Sequence, residues 1–140
     1  MERSAVVYAI NDRLIIGASR RTATGLRLEV EPQTLGGNAG LAELVASLSS
    51  ALAASMPAAI PPRDWKGFFD PFLKAAGVRS FKAFMAAAQS VSIDERDGTF
   101  VVTPYRNLGP SEGFEPIPSE AATSPDLETA VSAVVEKLRS

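Results

Sequence analysis

The 140-residue chain contains neither cysteine nor histidine. Without these side chains it can form no disulfide framework, no Cys–His or Ser–His–Asp nucleophile system, and no structural zinc site with nitrogen or sulfur ligands. An imidazole-based pH switch near neutrality is excluded as well. Only carboxylate, lysine, tyrosine and hydroxyl chemistry remain open to this protein.

The chain also lacks a long apolar run and a strong excess of either charge. Without an apolar run we expect no transmembrane segment and a soluble protein. The start of the chain has no secretory cleavage pattern, and the absence of cysteine fits a reducing compartment. A net charge of −2 argues against a nucleic-acid-binding surface built on a broad basic field. With 46% hydrophobic residues, the chain can bury one core, and we expect a single domain over residues 1–140.

Alternation of polar and apolar residues predicts three strands in the N-terminal third. The stretch SAVVYAINDRLIIGAS is typical of a hairpin, with a tight turn at Asn11 and Asp12. The stretch GLRLEVE predicts a half-buried third strand that ends at Pro32. The predicted apolar faces are Val6, Tyr8, Ile10, Leu14 and Ile16 in the hairpin and Leu26, Leu28 and Val30 in the third strand, whose Arg27, Glu29 and Glu31 face the other way.

A helical period replaces this alternation in the middle of the chain. Asn38 is a candidate N-cap for the first helix, Pro71 forces a break or restart, Gly77 ends the next segment, and Ser80 can cap a short third helix. The apolar face of the first helix comprises Leu41, Leu44, Val45, Leu48 and Leu52, and the aromatic residues that follow are Trp65, Phe68, Phe69, Phe72, Phe81 and Phe84.

A second hairpin and a last helix complete the predicted order. Asp97 and Gly98 favour the left-handed geometry of a type I′ turn. Ser124 suits the N-cap of the last helix and Pro125 its first position. Strands clustered by hairpins predict an α+β fold, a largely antiparallel sheet of about five strands packed with a helical layer. The buried face of the last helix is predicted to be Leu127, Val131, Val134, Val135 and Leu138.

Two motifs that invite a chemical interpretation have simpler explanations. Asp94, Glu95 and Asp97 form the densest carboxylate cluster, but a strand sends the first two to opposite faces and the turn occupies the third, so a solvated hairpin tip is favoured. The stretch TLGGNAG resembles a phosphate-binding loop, yet it matches neither the P-loop nor the dinucleotide spacing. Ordinary turn and capping chemistry explains it better. We therefore predict no catalytic residues, no metal site and no cofactor.

The aromatic segment from Trp65 to Phe84 has two interpretations. Aromatic residues at helical spacing usually belong to the core. The same rings could line a ligand pocket or a partner groove, which would make the protein a small ligand-binding or adaptor module. A deep pocket lined by these rings would favour that second interpretation.

The stretch TPYRNLGPSEGFEPIP, residues 103–118, is the most unusual part of the chain. Its prolines restrict the backbone, and its aromatic and arginine side chains are of the kind that anchor protein interfaces. As a binding edge it would offer a partner Tyr105, Arg106, Asn107, Glu112, Phe114 and Glu115. As a structural arm it would instead pack Tyr105, Leu108, Phe114 and Ile117 against the sheet. Both interpretations remain open on physical grounds.

Residues Ser90 to Pro118, with TPYRNLG and GFEPIP as the most specific motifs, resemble the immunity proteins of bacterial contact-dependent growth inhibition systems. The preceding FKAFMAAAQSVSI and the C-terminal amphipathic helix are similar in order and spacing. The resemblance implies a cytoplasmic protein that binds and neutralises its partner, the toxin C-terminal domain of a large secreted adhesin. Such toxins are commonly nucleases. The resemblance implies no catalysis by the immunity protein itself, no direct contact with nucleic acid and no membrane attachment.

Charge is divided unevenly along the chain. Residues 1–90 contain ten basic and seven acidic side chains, whereas residues 91–140 contain four and nine. An acidic C-terminal part would suit a basic, nucleic-acid-cleaving toxin. Chance and acids at helix starts explain the same distribution. A third hypothesis, a carboxylate-based hydrolase using Asp94 or Glu115 with another acid, would need two acids that converge in a pocket.

Overall fold

The computed structural model describes residues 2–56, 59–60, 62–63 and 65–139. Within these residues it contains seven strands, four α-helices and one 3-10 turn. The strands are β1 (Glu2–Ile10), β2 (Arg13–Arg21), β3 (Arg27–Gly36), β4 (Gln89–Arg96), β5 (Thr99–Asn107), β6 (Phe114–Pro116) and β7 (Ala122–Ser124). The helices are α1 (Leu41–Ala54), α2 (Asp70–Ala76), α3 (Phe81–Ala87) and α4 (Leu127–Arg139), and the 3-10 turn spans Pro118–Glu120. No helix in these ranges is long and apolar enough to cross a membrane.

All seven strands form one antiparallel sheet, which confirms the predicted α+β class. The strand order is β3-β2-β1-β4-β5-β6, and β7 pairs with the first half of β5 on the side where β6 pairs with the second half. The two strands beyond the predicted five are β6 and β7, both of three residues. They arise because the segment after β5 folds back along it as an edge strand, so half of residues 103–118 lie in the sheet and the rest form the turn between the strands and the start of the 3-10 turn.

The turn and cap residues that carry a strong local preference behave as predicted. Asn11, Asp12 and Asp97 have positive φ angles, so both hairpins turn where the sequence indicates. Gly77 ends α2 in the left-handed conformation, and the Ser80 hydroxyl accepts a hydrogen bond from the Ala83 amide at 3.1 Å.

Three boundary predictions are wrong. Pro32 does not end β3, because Glu31 adopts a positive φ and a bulge opposite β2 carries the strand on to Gly36. A proline is tolerated there because β3 is an edge strand. Asn38 does not cap α1: the chain turns between Gly36 and Ala39, and the N-cap position falls on Gly40.

The start of α4 is the third of these boundaries. Ser124 remains in β7, paired with Phe100, and Pro125 lies before the helix rather than at its first position. The Asp126 carboxylate caps α4 instead, accepting a hydrogen bond from the Thr129 amide at 2.8 Å. This contact holds the pKa of Asp126 below its usual range.

The sheet carries a separate apolar cluster on each face. Odd-numbered residues of β1 and their neighbours pack against α1 and α4, whereas even-numbered residues pack against α2 and α3. Gly17 on β2 permits the second contact, because a Cβ placed there would come within 2.6 Å of the Phe72 ring. The first cluster centres on Val7, Ile16, Leu44, Leu48, Ile93, Val102, Val131 and Val134; the second on Tyr8, Ile15, Phe72, Phe84 and Met85.

We expect Leu44→Ala and Val134→Ala each to lower the free energy of unfolding by about 2–4 kcal/mol, because each removes a fully buried branched side chain from the first cluster. Denaturant unfolding measures the change. Leu41→Ala is the matched control: the sequence placed Leu41 on the buried face, but it begins the helix and is 46% exposed, so that part of the prediction is wrong. Its effect should stay within about 0.5 kcal/mol. Equal effects of Leu44→Ala and Leu41→Ala would contradict the assigned helix face.

Candidate functional site

A cleft of about 300 Å³ opens on the sheet face opposite α1 and α4. At one end of this face, α2 and α3 cover the strands with apolar and aromatic side chains. At the other end, which we call bare, no described helix covers the strands; they carry charged and hydroxyl side chains and share a depression with Met56, Ala59 and Ile60. The cleft lies where the covered and bare parts meet, and its walls include Tyr8, Ser19, Arg27, Glu29, Phe69, Phe81, Phe84, Ser90, Ser92, Tyr105 and Phe114.

A larger depression, of about 470 Å³, lies at the end of the sheet near the β1–β2 turn. Its polar wall residues Asn11, Asp12 and Arg13 are all exposed. We take the smaller cleft as the candidate site, because it combines a half-buried carboxylate, Glu29, with a buried hydroxyl, Ser92, that has no hydrogen-bond partner among the described residues.

The centre of the cleft is a hydrogen bond between Tyr8 on β1 and Glu29 on β3. The Tyr8 hydroxyl donates to the Glu29 carboxylate, with Oη 2.7 Å from Oε1 and also close to Oε2. Burial and then the charge of Glu29 raise the pKa of Tyr8 well above its ordinary value, so this phenol remains a donor. Burial also raises the pKa of Glu29, and the hydrogen bond from Tyr8 offsets only part of that shift.

The Glu29 carboxylate has unused capacity for hydrogen bonds. An ionised carboxylate offers about four acceptor positions, and Tyr8 supplies one proton. Among the described residues Tyr8 is the only donor to Glu29. The buried Ser92 hydroxyl, which also lines the cleft, has no hydrogen-bond partner in the described part of the chain. Native proteins pair nearly all such groups with protein atoms or with ordered water.

The apolar wall of the cleft is a cluster of rings around Tyr8. The Tyr8 ring lies edge-on to Phe84, with centroids 5.1 Å apart, and 5.7 Å from Phe114. Phe69 is stacked on Phe72 at 5.0 Å and meets Phe81 edge-on at 5.6 Å. These geometries are the favoured ones for aromatic pairs, so the wall is rigid.

A network of arginines and carboxylates covers the bare end of the face. Glu2 on β1 accepts hydrogen bonds from Arg21, Arg96 and Arg27, the last at 3.4 Å. The contact with Arg96 is the largest cause of a lowered pKa at Glu2. Asp94 binds the Arg27 guanidinium at 3.1 Å and accepts from the Ser4 hydroxyl at 2.6 Å. The guanidinium of Arg27 is thereby held by Glu2 and Asp94, beside the cleft.

The residues predicted to form a binding edge do not lie on one surface. Tyr105 and Phe114 line the cleft. Arg106 and Glu115 form an exposed ion pair at 3.4 Å on the other side of the β5–β6 hairpin. The side-chain amide of Asn107 donates to the carbonyls of Met85 and Ala88, at 2.7 and 2.9 Å, and so fixes the end of α3.

Glu112 and a second hydrogen bond of Asn107 lie at the turn between β5 and β6. Glu112 is exposed between β5 and β6, and the Asn107 side-chain oxygen accepts from the Gly109 amide at 2.9 Å. The alternation of a strand explains the division, since Tyr105 and Asn107 share one face and Arg106 takes the other. Their predicted contacts with a partner stay predictions.

Sequence reasoning named the aromatic residues Phe69, Phe81, Phe84, Tyr105 and Phe114 as candidates but missed Tyr8, Glu29 and Ser92 as residues of the cleft. It assigned Glu29 to an exposed strand face, whereas the aromatic wall covers that face; Leu26, expected on the apolar side, precedes β3 and is 48% exposed. Asp94 was expected at a solvated tip but is bound by Arg27 and Ser4. The one local signal was the run of polar residues on the even-numbered side of β4 and at the start of β1: Ser90, Ser92, Asp94, Arg96, Glu2 and Ser4.

The carboxylates considered for hydrolysis do not meet in this site. Asp94 lies in the arginine network on β4, and Glu115 pairs with Arg106 beyond the sheet edge. No group of three or more acidic, cysteine or histidine side chains within the described residues is arranged to hold a metal ion.

Comparison with known proteins identifies relatives by fold alone. No family model and no curated protein matches the chain. A protein of unknown function from Neisseria meningitidis superposes with a TM-score of 0.76 at 17% identity, over 98% of this chain and 93% of that one. A chain of the CdiA-CT/CdiI toxin and immunity complex from Yersinia pseudotuberculosis superposes with a TM-score of 0.73 at 12% identity, over 98% of this chain and 97% of that one. Both share the fold over almost their whole length.

We expect Glu29→Gln to remove a pH-dependent loss of stability. Because the pKa of Glu29 is raised in the folded state, the folded protein holds this proton where the unfolded chain has lost it. Stability from this group is therefore present at low pH and falls as the pH rises from the ordinary glutamate value through the folded one. The amide can still accept from Tyr8 and carries no charge to bury.

Thermal melts from about pH 4 to about pH 9 test this prediction. Glu29→Gln should gain stability relative to wild type as the pH rises, whereas Glu43→Gln, at an exposed position on α1, should follow the wild-type curve. Parallel curves for wild type and Glu29→Gln would show that the carboxylate is not destabilised by burial.

Proposed function

We propose that this protein is a cytoplasmic immunity protein that binds and neutralises the toxin domain of a contact-dependent growth inhibition system, without catalysis of its own. The observation that carries the proposal is the full-length likeness of its fold to a chain of the Yersinia toxin and immunity complex. Residues 90–118, which resemble this family in sequence, form β4, β5 and β6 in that fold. Sequence motifs and fold therefore point to the same kind of protein.

The structure of the segment supports a binding role because its exposed side chains stand on a fixed frame. Strand pairing with β5 holds β6, and Asn107 ties the hairpin to the end of α3. Contacts on a rigid frame lose little conformational entropy when a partner binds. Arg106, Glu112 and Glu115 are exposed on this frame.

The sheet edge formed by β6, the 3-10 turn, β7 and the start of α4 is acidic. Its exposed acidic side chains are Glu112, Glu115, Glu120, Asp126 and Glu128. Arg106 and Lys137 are basic residues near them, and the Lys137 ammonium already donates to the Glu120 carbonyl at 2.5 Å. Such an edge suits a basic partner, and nucleases are basic where they hold phosphates. We propose a nuclease toxin on this ground.

A second candidate function is a small ligand-binding module that uses the aromatic segment. The cleft favours it, because Phe69, Phe81 and Phe84 line a concave site of the kind that small molecules occupy. A ligand-binding module would not neutralise a toxin, so rescue of growth by co-expression distinguishes the two candidates.

We expect co-expression of this protein to rescue growth of cells that express the toxin domain encoded beside it. The purified proteins should elute as one complex, and the immunity protein alone should show no hydrolase activity. Growth arrest that persists while both proteins accumulate folded would refute the neutralising role. Leu41→Ala, a change outside both the cleft and the acidic edge, should rescue as well as wild type.

We expect Glu112→Lys with Glu115→Lys to slow association with a basic toxin and to reduce the salt dependence of the rate, because long-range charge acts mainly on the encounter. Stopped-flow association at two salt concentrations measures both effects. Glu31→Lys with Glu43→Lys makes the same change in net charge away from that edge, on β3 and α1. Equal association rates for the two double variants would show that the acidic edge is not part of the interface. Thermal melts verify that both variants are folded.

A further inference from the structure

We infer, on the basis of the proposed toxin-binding function, that the cleft at Glu29 holds the guanidinium group of an arginine presented by the toxin. The cleft offers a half-buried carboxylate with open acceptor positions, a lining of aromatic rings, and an exposed apolar rim. Together these features suit a planar cation on a protein surface.

The acceptors determine the charge of the occupant. Glu29 receives one hydrogen bond, from Tyr8, and the Ser92 hydroxyl receives none among the described residues. A guanidinium has five N–H donors and no acceptor, so it can occupy the acceptor positions that Tyr8 leaves open on Glu29. An anion would face the Glu29 carboxylate at close range, and an apolar group would leave those acceptor positions unfilled.

Among the described residues, Arg27 is the arginine that borders the cleft, and it does not supply this cation. One of its terminal nitrogens binds Asp94 at 3.1 Å and the other lies 3.4 Å from Glu2. With these two carboxylates engaged, Arg27 faces the bare end of the sheet. Glu29 is therefore the carboxylate beside the arginine network that keeps free acceptor positions.

The rings favour arginine over lysine. Phe69, Phe81, Tyr105 and Phe114 line the cleft around Glu29. A guanidinium can lie flat on an aromatic face while its edge bonds a carboxylate, whereas an ammonium is a compact, strongly hydrated charge. Arginine is also enriched among the side chains that dominate protein interfaces.

The rim of the cleft indicates that the occupant belongs to a protein. A shallow depression adjoins the cleft and shares Arg27, Glu29 and Phe69 with it. Leu26 and Trp65 line this depression and are 48% and 50% exposed; Phe81, on the wall of the cleft, is 40% exposed. Apolar residues around a desolvated polar pocket exclude water from it when a partner covers them.

Calorimetric titration with the purified toxin domain tests the site. We expect Glu29→Gln to weaken binding by roughly 10-fold or more, since truncating one partner of a buried charge pair leaves the other unpaired. Glu43→Gln, a change of the same kind at an exposed position on α1, should bind as wild type. Thermal melts verify that both variants are folded. Unchanged affinity of Glu29→Gln for the toxin domain would overturn the inference.

The partner residue is identified by changing each surface arginine and lysine of the toxin domain to methionine. One Arg→Met variant of the toxin domain should bind wild-type immunity protein more weakly. Replacing wild type by Glu29→Gln should then weaken the binding of this variant little further, which is the signature of a direct pair. Coupling to a lysine instead, or to no basic residue, would overturn the assignment of a guanidinium.

A titration that needs no toxin keeps the site testable if the proposed function fails. Trp65, the single tryptophan, reports on the adjoining depression by its fluorescence. N-acetyl-arginine amide should give a saturable change that N-acetyl-citrulline amide, its neutral analogue, does not match and that Glu29→Gln abolishes. If wild type does not bind the toxin domain, the immunity role is wrong, and this titration alone decides on the cleft. Equal responses to both amides, or none, would then overturn the guanidinium site.

Discussion

The alternation of side chains along β1 is the constraint on which the rest of the structure depends. Because β1 lies between β2 and β4, its two faces decide what each layer of helices can cover. Odd-numbered residues are apolar enough to pack against α1 and α4. The even-numbered side changes character along the strand, from Glu2 and Ser4 to Val6, Tyr8 and Ile10. Only the apolar part is covered by α2 and α3. The cleft lies beside Tyr8, near the point where the strand changes from polar to apolar residues.

This arrangement leaves a carboxylate where the apolar layer ends. Glu29 belongs to an edge strand whose outward face would ordinarily be solvated, and the rings of α2 and α3 enclose it without supplying a counter-charge. Nearby, Glu2 and Asp94 are matched by three arginines. The two halves of the face therefore differ: in the bare half Glu2 and Asp94 are paired with arginines, whereas in the covered half Glu29 retains open acceptor positions. An enclosed carboxylate without a counter-charge lowers the stability of the fold, and such features are expected at functional sites.

The sequence predicts most of the fold because its strongest signals are local. Asn11, Asp12, Asp97 and Gly98 favour turns, and the 3.6-residue apolar period places the buried residues Leu44, Leu48, Val131 and Val134 correctly. The errors come where tertiary pairing overrides a local preference: Pro32 is accommodated by a bulge at a sheet edge, and Ser124 is retained by a strand partner. The cleft was beyond local reasoning, because which face of β3 is covered depends on where the loops carry α2 and α3, some forty residues later in the chain.

Residues 103–118 and the cleft are structurally linked. Tyr105 and Phe114 enter the wall of the cleft from β5 and β6, while Asn107 bonds two carbonyls at the end of α3, the helix that carries Phe81 and Phe84. Moving the hairpin would therefore move the aromatic wall with it. A motif with this role holds the shape of the cleft, whereas the exposed side chains at its mouth and along the acidic edge can vary without disturbing the sheet. In an immunity protein, the function proposed above, such a division would let one fold keep its frame and change its partner.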